Sequence, residues 1–473
     1  MQPKGQPINK SSHDQLDPKI WRVVAVVLIG PFMTQLDSTV VSVSLSTIQQ
    51  ELHSSVEVAQ WIISGYLLAL ALMLPLNDWI VDRIGAKRLY LACFTTFTLA
   101  SALCGSARTI DHLILARLVQ GIAGGLLAPL TQMMIARVAG RNMARVIGYA
   151  AVPILLAPIL GPVIAGGVLK YASWPWLFFL NLPVGILAVG LAVFLLPNDD
   201  ATIQRRQFDF LGFLLISPGL VCLLYGFEHV SDRSGFSALI LGFMLIGGFV
   251  WDALRKKSTA LIDLRLFGNG IFSTATATQF LLNGVAFAGQ MLVPLYLIAG
   301  CGFSAAKAGW ILAPMGLGML CAYPMMGFLT DRFGCRAVSV GGVLLTSLGT
   351  LPLLWMVLHE FSPSLMVLSM LARGSGQGAT GIPSISAAYA SVPKEKLGLA
   401  TTAMNIVQRL GGPIATTGLA VVMSASTTLH QVPTPRMYLI PFLALLGLQL
   451  LVLISASRLP ERIHESVEEG HQT

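Results

Sequence analysis

The stretch Gln35-Leu36-Asp37-Ser38-Thr39-Val40-Val41 puts an acid inside an apolar run that extends from about residue 21 to about residue 45. Roughly 25 residues at 1.5 Å each cross a bilayer core of ~30 Å. A carboxylate past the midpoint of such a span costs roughly 2.5–3.5 kcal/mol on insertion scales, so it needs a partner, a wet cavity or a proton. Asp37 is therefore a candidate proton carrier, the competing reading being an acid fixed in a helix-packing hydrogen bond. Three cations, Arg117, Arg373 and Arg409, also fall inside apolar runs. Arg117 lies about six residues in from Asp111 and Asp37 about ten residues in from Thr47, so their depths differ by about one helical turn. A long arginine side chain spans that difference, and the pair is expected to share a hydrated site, or else to form a purely structural ion pair. Arg409, with Asn405 one turn away, could bind an anionic substrate group or hydrogen-bond backbone carbonyls. Gln35, Trp61, Tyr66, Asn283, Gln290 and Tyr296 are further polar or aromatic positions that could line a cavity.

The elements that would carry these residues are membrane spans. The chain has 473 residues, of which 55% are hydrophobic and 11% charged, and its mean hydropathy is +0.73. A soluble domain carries about 25% charged residues, so this is a polytopic membrane protein. The formal charge of +8 does not indicate nucleic acid, because most of the cations sit in the tails and the loops between spans. Six cysteines stand singly in or near apolar runs and are expected as small core hydrophobes. Residues 1–20 are polar, and the run after them is too long for a signal peptide, so it is taken as a retained first span. Apolar runs near 21–46, 58–77, 89–106, 112–136, 144–169, 176–196, 210–228, 237–254, 271–299, 306–329, 336–358, 364–388, 398–424 and 437–457 make fourteen spans.

Charge asymmetry tests that count. With fourteen spans, 22 of the 30 Lys and Arg residues fall on the side of the N-terminus, five on the other side and three within spans. The positive-inside rule then puts both termini in the cytoplasm.

The chain also repeats itself. Asp82-Arg83-Ile84-Gly85-Ala86-Lys87-Arg88 recurs as Asp331-Arg332-Phe333-Gly334-Cys335-Arg336, and Leu115-Ala116-Arg117 recurs as Leu371-Ala372-Arg373. The two offsets, 249 and 256 residues, are nearly equal. Two six-span halves, 21–196 and 271–457, separated by an inserted pair within 197–270 and flanked by tails 1–20 and 458–473, would produce this. Duplicated halves with a site near the midplane characterise secondary transporters.

On these residues the chain resembles the major facilitator superfamily, and within it the fourteen-span drug:proton antiporter branch of EmrB/QacA type, from about residue 20 to 455. Leu36-Asp37-Ser38-Thr39-Val40-Val41 matches the first-span signature of that branch. The segment after span two resembles the superfamily's gating motif, which packs two helices at the cytoplasmic face and holds a charge relay there. Asp78 stands where the motif has its leading glycine, while the second copy keeps Gly327. The resemblance thus implies a cytoplasmic gate of Asp78, Asp82, Arg83, Gly85, Lys87 and Arg88, repeated by Asp331, Arg332, Gly334 and Arg336. Asp78 and Asp82, one turn apart, are expected to face Arg83, Lys87 and Arg88. Arg117-x-x-Gln120-Gly121-x-x-Gly124-Gly125 matches a fourth-span motif whose arginine is associated with proton coupling. Gly148, Gly161, Pro162 and Gly166 follow the fifth-span antiporter motif, and with Pro153 and Pro158 they lead one to expect a hinge or kink. Asn181-Leu182-Pro183, Phe208-Asp209 and the stretch 261–267 are further branch markers.

The implied fold is an all-α polytopic bundle, two six-helix halves plus two inserted helices. The expected function is a proton-coupled exporter of amphipathic drugs or toxic compounds working by alternating access. A proton-coupled exporter of a small organic anion or metal chelate is the alternative, and a non-transporting membrane receptor or assembly partner stands behind both. No Walker motif appears, and no nucleophile–base pair or clustered metal ligands mark an enzyme. No cofactor is expected beyond the proton gradient. The expected partners are protons, a small molecule and the lipid bilayer, without nucleic acid. The branch resemblance leaves room for a periplasmic adaptor, and the expected setting is a monomer in a bacterial cytoplasmic (inner) membrane.

Overall fold

The computed structural model describes residues 18–198, 207–230, 232–256, 259–429 and 435–461. Most of the two expected tails, and the loop cations Arg205, Arg206 and Lys257, lie outside the described residues. The described chain is helical. Its elements are α1 Pro18–Glu51, α2 Val56–Met73, α3 Asn77–Ile84, α4 Ala86–Gly105, α5 Ile110–Ala139, α6 Met143–Tyr171, α7 Pro175–Phe179 and α8 Asn181–Leu195. There follow α9 Phe210–Glu228, α10 Arg233–Lys256, α11 Gly270–Leu295, α12 Ala305–Phe333, α13 Cys335–Leu358, α14 Pro363–Ala390, α15 Leu397–Leu429 and α16 Leu439–Ala456. Short turns join α2 to α3 and extend α11 to Gly300, and α7 runs on into α8, which leaves fourteen spans. Thirteen are recognisable by length and hydropathy alone. The fourteenth, α14, is 28 residues long but rich in Gly and Ser and carries Arg373, so its mean hydropathy is low.

Most expected boundaries hold within a few residues, and the larger differences are extensions. α1 runs on to Glu51, and span two continues through the turn Leu74–Leu76 into α3, so Asp78 and Asp82 are helical rather than in a loop. α6 passes unbroken through Pro153, Pro158 and Pro162.

Helices α1, α2, α4, α5, α6 and α8 pack on one another, and α11 to α16 form a second group. Large apolar side chains such as Phe194 and Trp310 are exposed on the perimeter, the surface a bilayer covers. The pair α9–α10 packs on itself, and α9 reaches both groups. Its Tyr225 stacks on Trp61 of α2 at 6.4 Å, and its Phe227 carbonyl accepts from Thr417 Oγ1 of α15 at 2.9 Å.

The repeated gating motif builds the same device twice. Gly85 and Gly334 both have φ near +90° (91° and 85°), which only glycine adopts without strain, and each turns the chain into the next helix. The basic residue that follows caps the last helix of its own group. Lys87 Nζ donates to the carbonyls of Val193 and Leu196 at the end of α8, each at 2.9 Å. Arg336 Nε donates to the Leu459 carbonyl beyond α16 at 2.7 Å. A cation at a helix C-terminus satisfies otherwise unpaired carbonyls and the negative end of the helix dipole.

Candidate functional site

The first-group site is assembled by close approach of α5 to α2. A Cβ on Gly121 would lie 2.5 Å from the Tyr66 carbonyl oxygen, and one on Gly125 would lie 2.4 Å from that of Leu70. Glycines four apart thus let the two backbones touch, the pattern by which membrane helices associate without a hydrophobic drive. The approach sets Arg117 over the Tyr66 ring, with its guanidinium carbon 4.1 Å from the ring centroid, and lets its Nε donate to the Ile62 carbonyl at 3.1 Å.

Asp37 of α1 meets that arginine. Arg117 Nη1 lies 2.5 Å from Asp37 Oδ2, and the two side chains are each 1% exposed. The other carboxylate oxygen, Oδ1, accepts from Asn181 Nδ2 of α8 at 2.7 Å and from Gln120 Nε2 of α5 at 3.2 Å. Gln120 returns its carbonyl oxygen to Arg117 Nη1 at 2.6 Å, and Ser101 Oγ of α4 accepts from Gln120 at 2.7 Å and from Asn181 at 3.3 Å. Five spans therefore contribute to one buried carboxylate. Two charges taken out of water are tolerated only when well paired and further hydrogen-bonded, and this network supplies both.

The sequence placed Asp37 and Arg117 at compatible depths, and the structure puts them in contact. In the sequence Gln120 and Asn181 carry only the signal of motif residues. Gln120 follows Arg117 by three positions, which places both on one helix face, so its membership was accessible from spacing. Ser101 carried no signal, because a serine in an apolar helix is common.

A cavity of about 460 Å³ lies beside this cluster, bounded by α1, α2, α5 and α6 on one side and by α12, α14 and α15 on the other. Tyr66 lines it, as do Gln35 and Arg409 among the expected residues. The other five candidates fall elsewhere. Tyr296 is fully buried against Tyr438 and Phe442 of the second group, an aromatic core contact. Gln290 is exposed, and Asn283 is half-buried where α11 meets Gly412 of α15. Asn405 donates to Gln132 Oε1 of α5 at 2.7 Å instead of standing beside Arg409 as a ligand. In each case polarity pointed to the cavity, but the face on which helix packing placed the residue decided otherwise. Trp61, at the α9 contact, is likewise not a lining residue.

Sequence reasoning missed Gln132. Its carbonyl oxygen accepts from Tyr389 Oη of α14 at 2.8 Å as well as from Asn405, tying the two helix groups across one end of the cavity. Further contacts close that end. A Cβ on Gly148 of α6 would come 2.5 Å from the Tyr323 carbonyl of α12, and one on Gly327 of α12 would come within 2.3 Å of the Arg145 Cα. Asp78 is buried with its Oδ1 against Gly398 in the first turn of α15, where a Cβ would lie 2.0 Å away. The acid that replaces the motif's glycine thus reaches across to the second group rather than only along its own helix. Asp331 is 3.6 Å from Arg145. Arg83 lies over Trp79 and Arg332 beside Phe333. Of the fifth-span residues, Gly161 packs against Thr39 of α1, whereas Pro162 and Gly166 are exposed.

The second group holds an unequal copy of the buried pair. Arg373 is 1% exposed, and Thr350 Oγ1 accepts from its Nη1 at 3.4 Å. No carboxylate pairs with it among the described residues, and its Nε has no acceptor there. The α11 residue against its guanidinium is Gly289, where a Cβ would lie 2.3 Å from Nη2. Gly289 stands 252 positions after Asp37, within the offset of the motif repeats.

Two helix groups enclosing a central cavity, closed at one end and bordered by a buried ionisable pair, define a polytopic membrane transporter. The chain belongs to the Major Facilitator Superfamily, whose model matches residues 27–416. It is 33% identical over 433 residues to the multidrug resistance protein B homolog of Mycobacterium tuberculosis (strain H37Rv), covering 89% of this chain and 80% of that one. It is 29% identical over 453 residues to the putative multidrug resistance protein MdtD of Klebsiella pneumoniae (strain 342), covering 93% and 94% of the two chains. In fold it is similar to a double-tryptophan variant of XylE, with a TM-score of 0.66 at 15% identity over 95% of this chain and 98% of the other. The human organic anion transporter MFSD10 (TETRAN) gives a TM-score of 0.63 at 16% identity over 93% and 100%.

Proposed function

We propose that this transporter exports amphipathic compounds in exchange for protons entering the cell, and that Asp37 carries the proton. The observation that carries the reading is the buried Asp37–Arg117 pair beside the cavity, with Tyr66 touching Arg117 through its ring and lining the cavity. A carboxylate with one cation and two amide donors has two stable arrangements, charged and paired or neutral and released, and a ligand that prefers one biases the other. The relatives named as multidrug resistance proteins support an amphipathic cargo, and the mixed polar and apolar cavity wall fits one. The loop cations support placing the gate-motif end, with both termini, in the cytoplasm of a bacterial inner membrane. The present conformer is then closed to the cytoplasm.

Inverted vesicles with an imposed pH gradient, inside acidic, test the reading. Adding a transported amphipath should release protons from the vesicles, and Asp37→Asn should abolish that release while leaving the protein folded. Coupled release persisting in Asp37→Asn would remove Asp37 from the mechanism.

A further inference from the structure

The cavity wall is electrostatically one-sided. Among its 23 lining residues the sole formal charge is Arg409, and no aspartate or glutamate lines it. Arg409 has no hydrogen-bond acceptor or ion-pair partner among the described residues. Tyr66, on the facing helix group, is 1% exposed, yet its hydroxyl also has no hydrogen-bond partner there. Gly124 makes room for that hydroxyl, since a Cβ there would lie 3.2 Å from Tyr66 Oη. The Tyr66 hydroxyl, a buried donor left unpaired, carries its full desolvation cost, and the half-buried guanidinium of Arg409 borders the same space. The amides of Gln35, Gln132 and Gln408 add neutral polarity, while much of the wall, including Leu28, Leu70, Ile135 and Ile385, is apolar.

We propose that Arg409 and Tyr66 form an anion subsite, and that the cargo class is amphipathic monoanions: one carboxylate or sulfonate on an apolar body. The acid group takes the guanidinium of Arg409 as a charge-assisted hydrogen-bonded partner and accepts from the Tyr66 hydroxyl. The apolar body lies against the aliphatic wall. The volume suits a ligand of drug size. Two classes are disfavoured on the same grounds. A lipophilic cation would bring its charge beside Arg409 with no acid to offset it, and a tricarboxylate would turn two of its charges toward apolar walls. The inference rests on the export reading and names its cargo. It also specifies the charge balance: one monoanion leaving for one proton entering moves two positive charges inward, whereas cation–proton exchange moves none.

The test measures binding separately from transport. Full-length protein in detergent is titrated with 1-naphthalenesulfonate, its neutral sulfonamide, tetraphenylphosphonium and citrate. The expected order is naphthalenesulfonate tightest, with the sulfonamide weaker by about tenfold or more and the other two negligible. Arg409→Met should weaken naphthalenesulfonate by at least about tenfold, Arg409→Lys should recover most of that loss, and Tyr66→Phe should weaken it severalfold. A thermal melt of Arg409→Met should be unchanged or raised, since no partner is orphaned. A lowered melt would reveal a structural partner for Arg409 and overturn the proposal. So would tetraphenylphosphonium binding best, or naphthalenesulfonate binding equally to Arg409→Met. Anion binding that follows this order without any proton-linked transport in vesicles would uphold the subsite and refute the export reading. Proton-linked transport of cations alone would refute the subsite and leave export standing.

Discussion

At the scale of single residues, the informative contrast is between two arginines at equivalent places in the repeat. Arg117 has Asp37, whereas Arg373 has Gly289 in the corresponding position and fills the vacated volume with its own guanidinium. The first arrangement sets an acid against its arginine, whereas among the described residues the second does not. On the proposed proton-exchange reading, this asymmetry confines the switch to one half of the molecule. It also predicts non-additive energetics. Removing one partner of a buried pair costs roughly 3–5 kcal/mol because it leaves a stranded charge, while removing both costs much less than the sum. Melting of the solubilised protein should therefore show Asp37→Leu and Arg117→Met each strongly destabilising, and the double variant closer to wild type than either. Additive losses would mean that the pair is solvated rather than buried.

At the scale of elements, the inserted pair α9–α10 is held by one carboxylate. Asp209 caps α9 by accepting from the Gly212 amide at 2.9 Å, accepts from the Leu261 amide at 3.0 Å, and pairs with Lys256 at the end of α10 at 2.6 Å. Burial alone would raise the Asp209 carboxyl, but the Lys256 ammonium and the two amides outweigh it and hold it below the ordinary carboxylate value. Asp263, in the segment leading to α11, is likewise held low, chiefly by the Arg265 guanidinium. A carboxylate whose folded value is depressed adds stability above its unfolded value of about 3.9 and loses it as pH falls through the folded value. Thermal stability should thus decline on acidification below about pH 4. Asp209→Asn should melt lower than wild type near pH 7 by the equivalent of about 1–3 kcal/mol, and the gap should narrow at acid pH. A constant gap would assign the loss to packing instead.

At the scale of the whole molecule, the close approaches between the two helix groups gather at the end carrying the gate motifs: Gly148 on Tyr323, Gly327 on Arg145, Gly398 on Asp78, and Gln132 between Tyr389 and Asn405. Backbone contact of this kind is available only to glycine, so a larger residue must push the groups apart. Gly327→Leu should shift the population away from this conformer. A reporter cysteine at Ser38 on the cavity wall, in a background lacking the six native cysteines, reads that shift. Labelling by an impermeant thiol reagent should fall about threefold or more from the face opposite the gate motifs and rise from the face that carries them. Unchanged labelling would show that the gate end stays shut without the glycine contact.

What was legible in the sequence and what was not divides along the range of the interactions involved. The spans could be read because a bilayer leaves no water for backbone groups and demands about twenty apolar residues per crossing, a constraint local to each run. α14 needed more than hydropathy, since its glycines, serines and Arg373 are compensated by neighbouring helices. The depths of Asp37 and Arg117 could be counted from the ends of their own spans, because helical rise is constant. The azimuth at which each helix presents its residues is set by which small residues let a neighbour approach, as Gly121 and Gly125 do for α2. That is why Gln35 and Arg409 reach the cavity while Gln290 faces outward and Tyr296 joins an aromatic core. Ser101, Gln132 and the reach of Asp78 to Gly398 were decided by tertiary structure alone. Each joins segments far apart in the chain, and no local spacing carries information about a partner that only packing brings near.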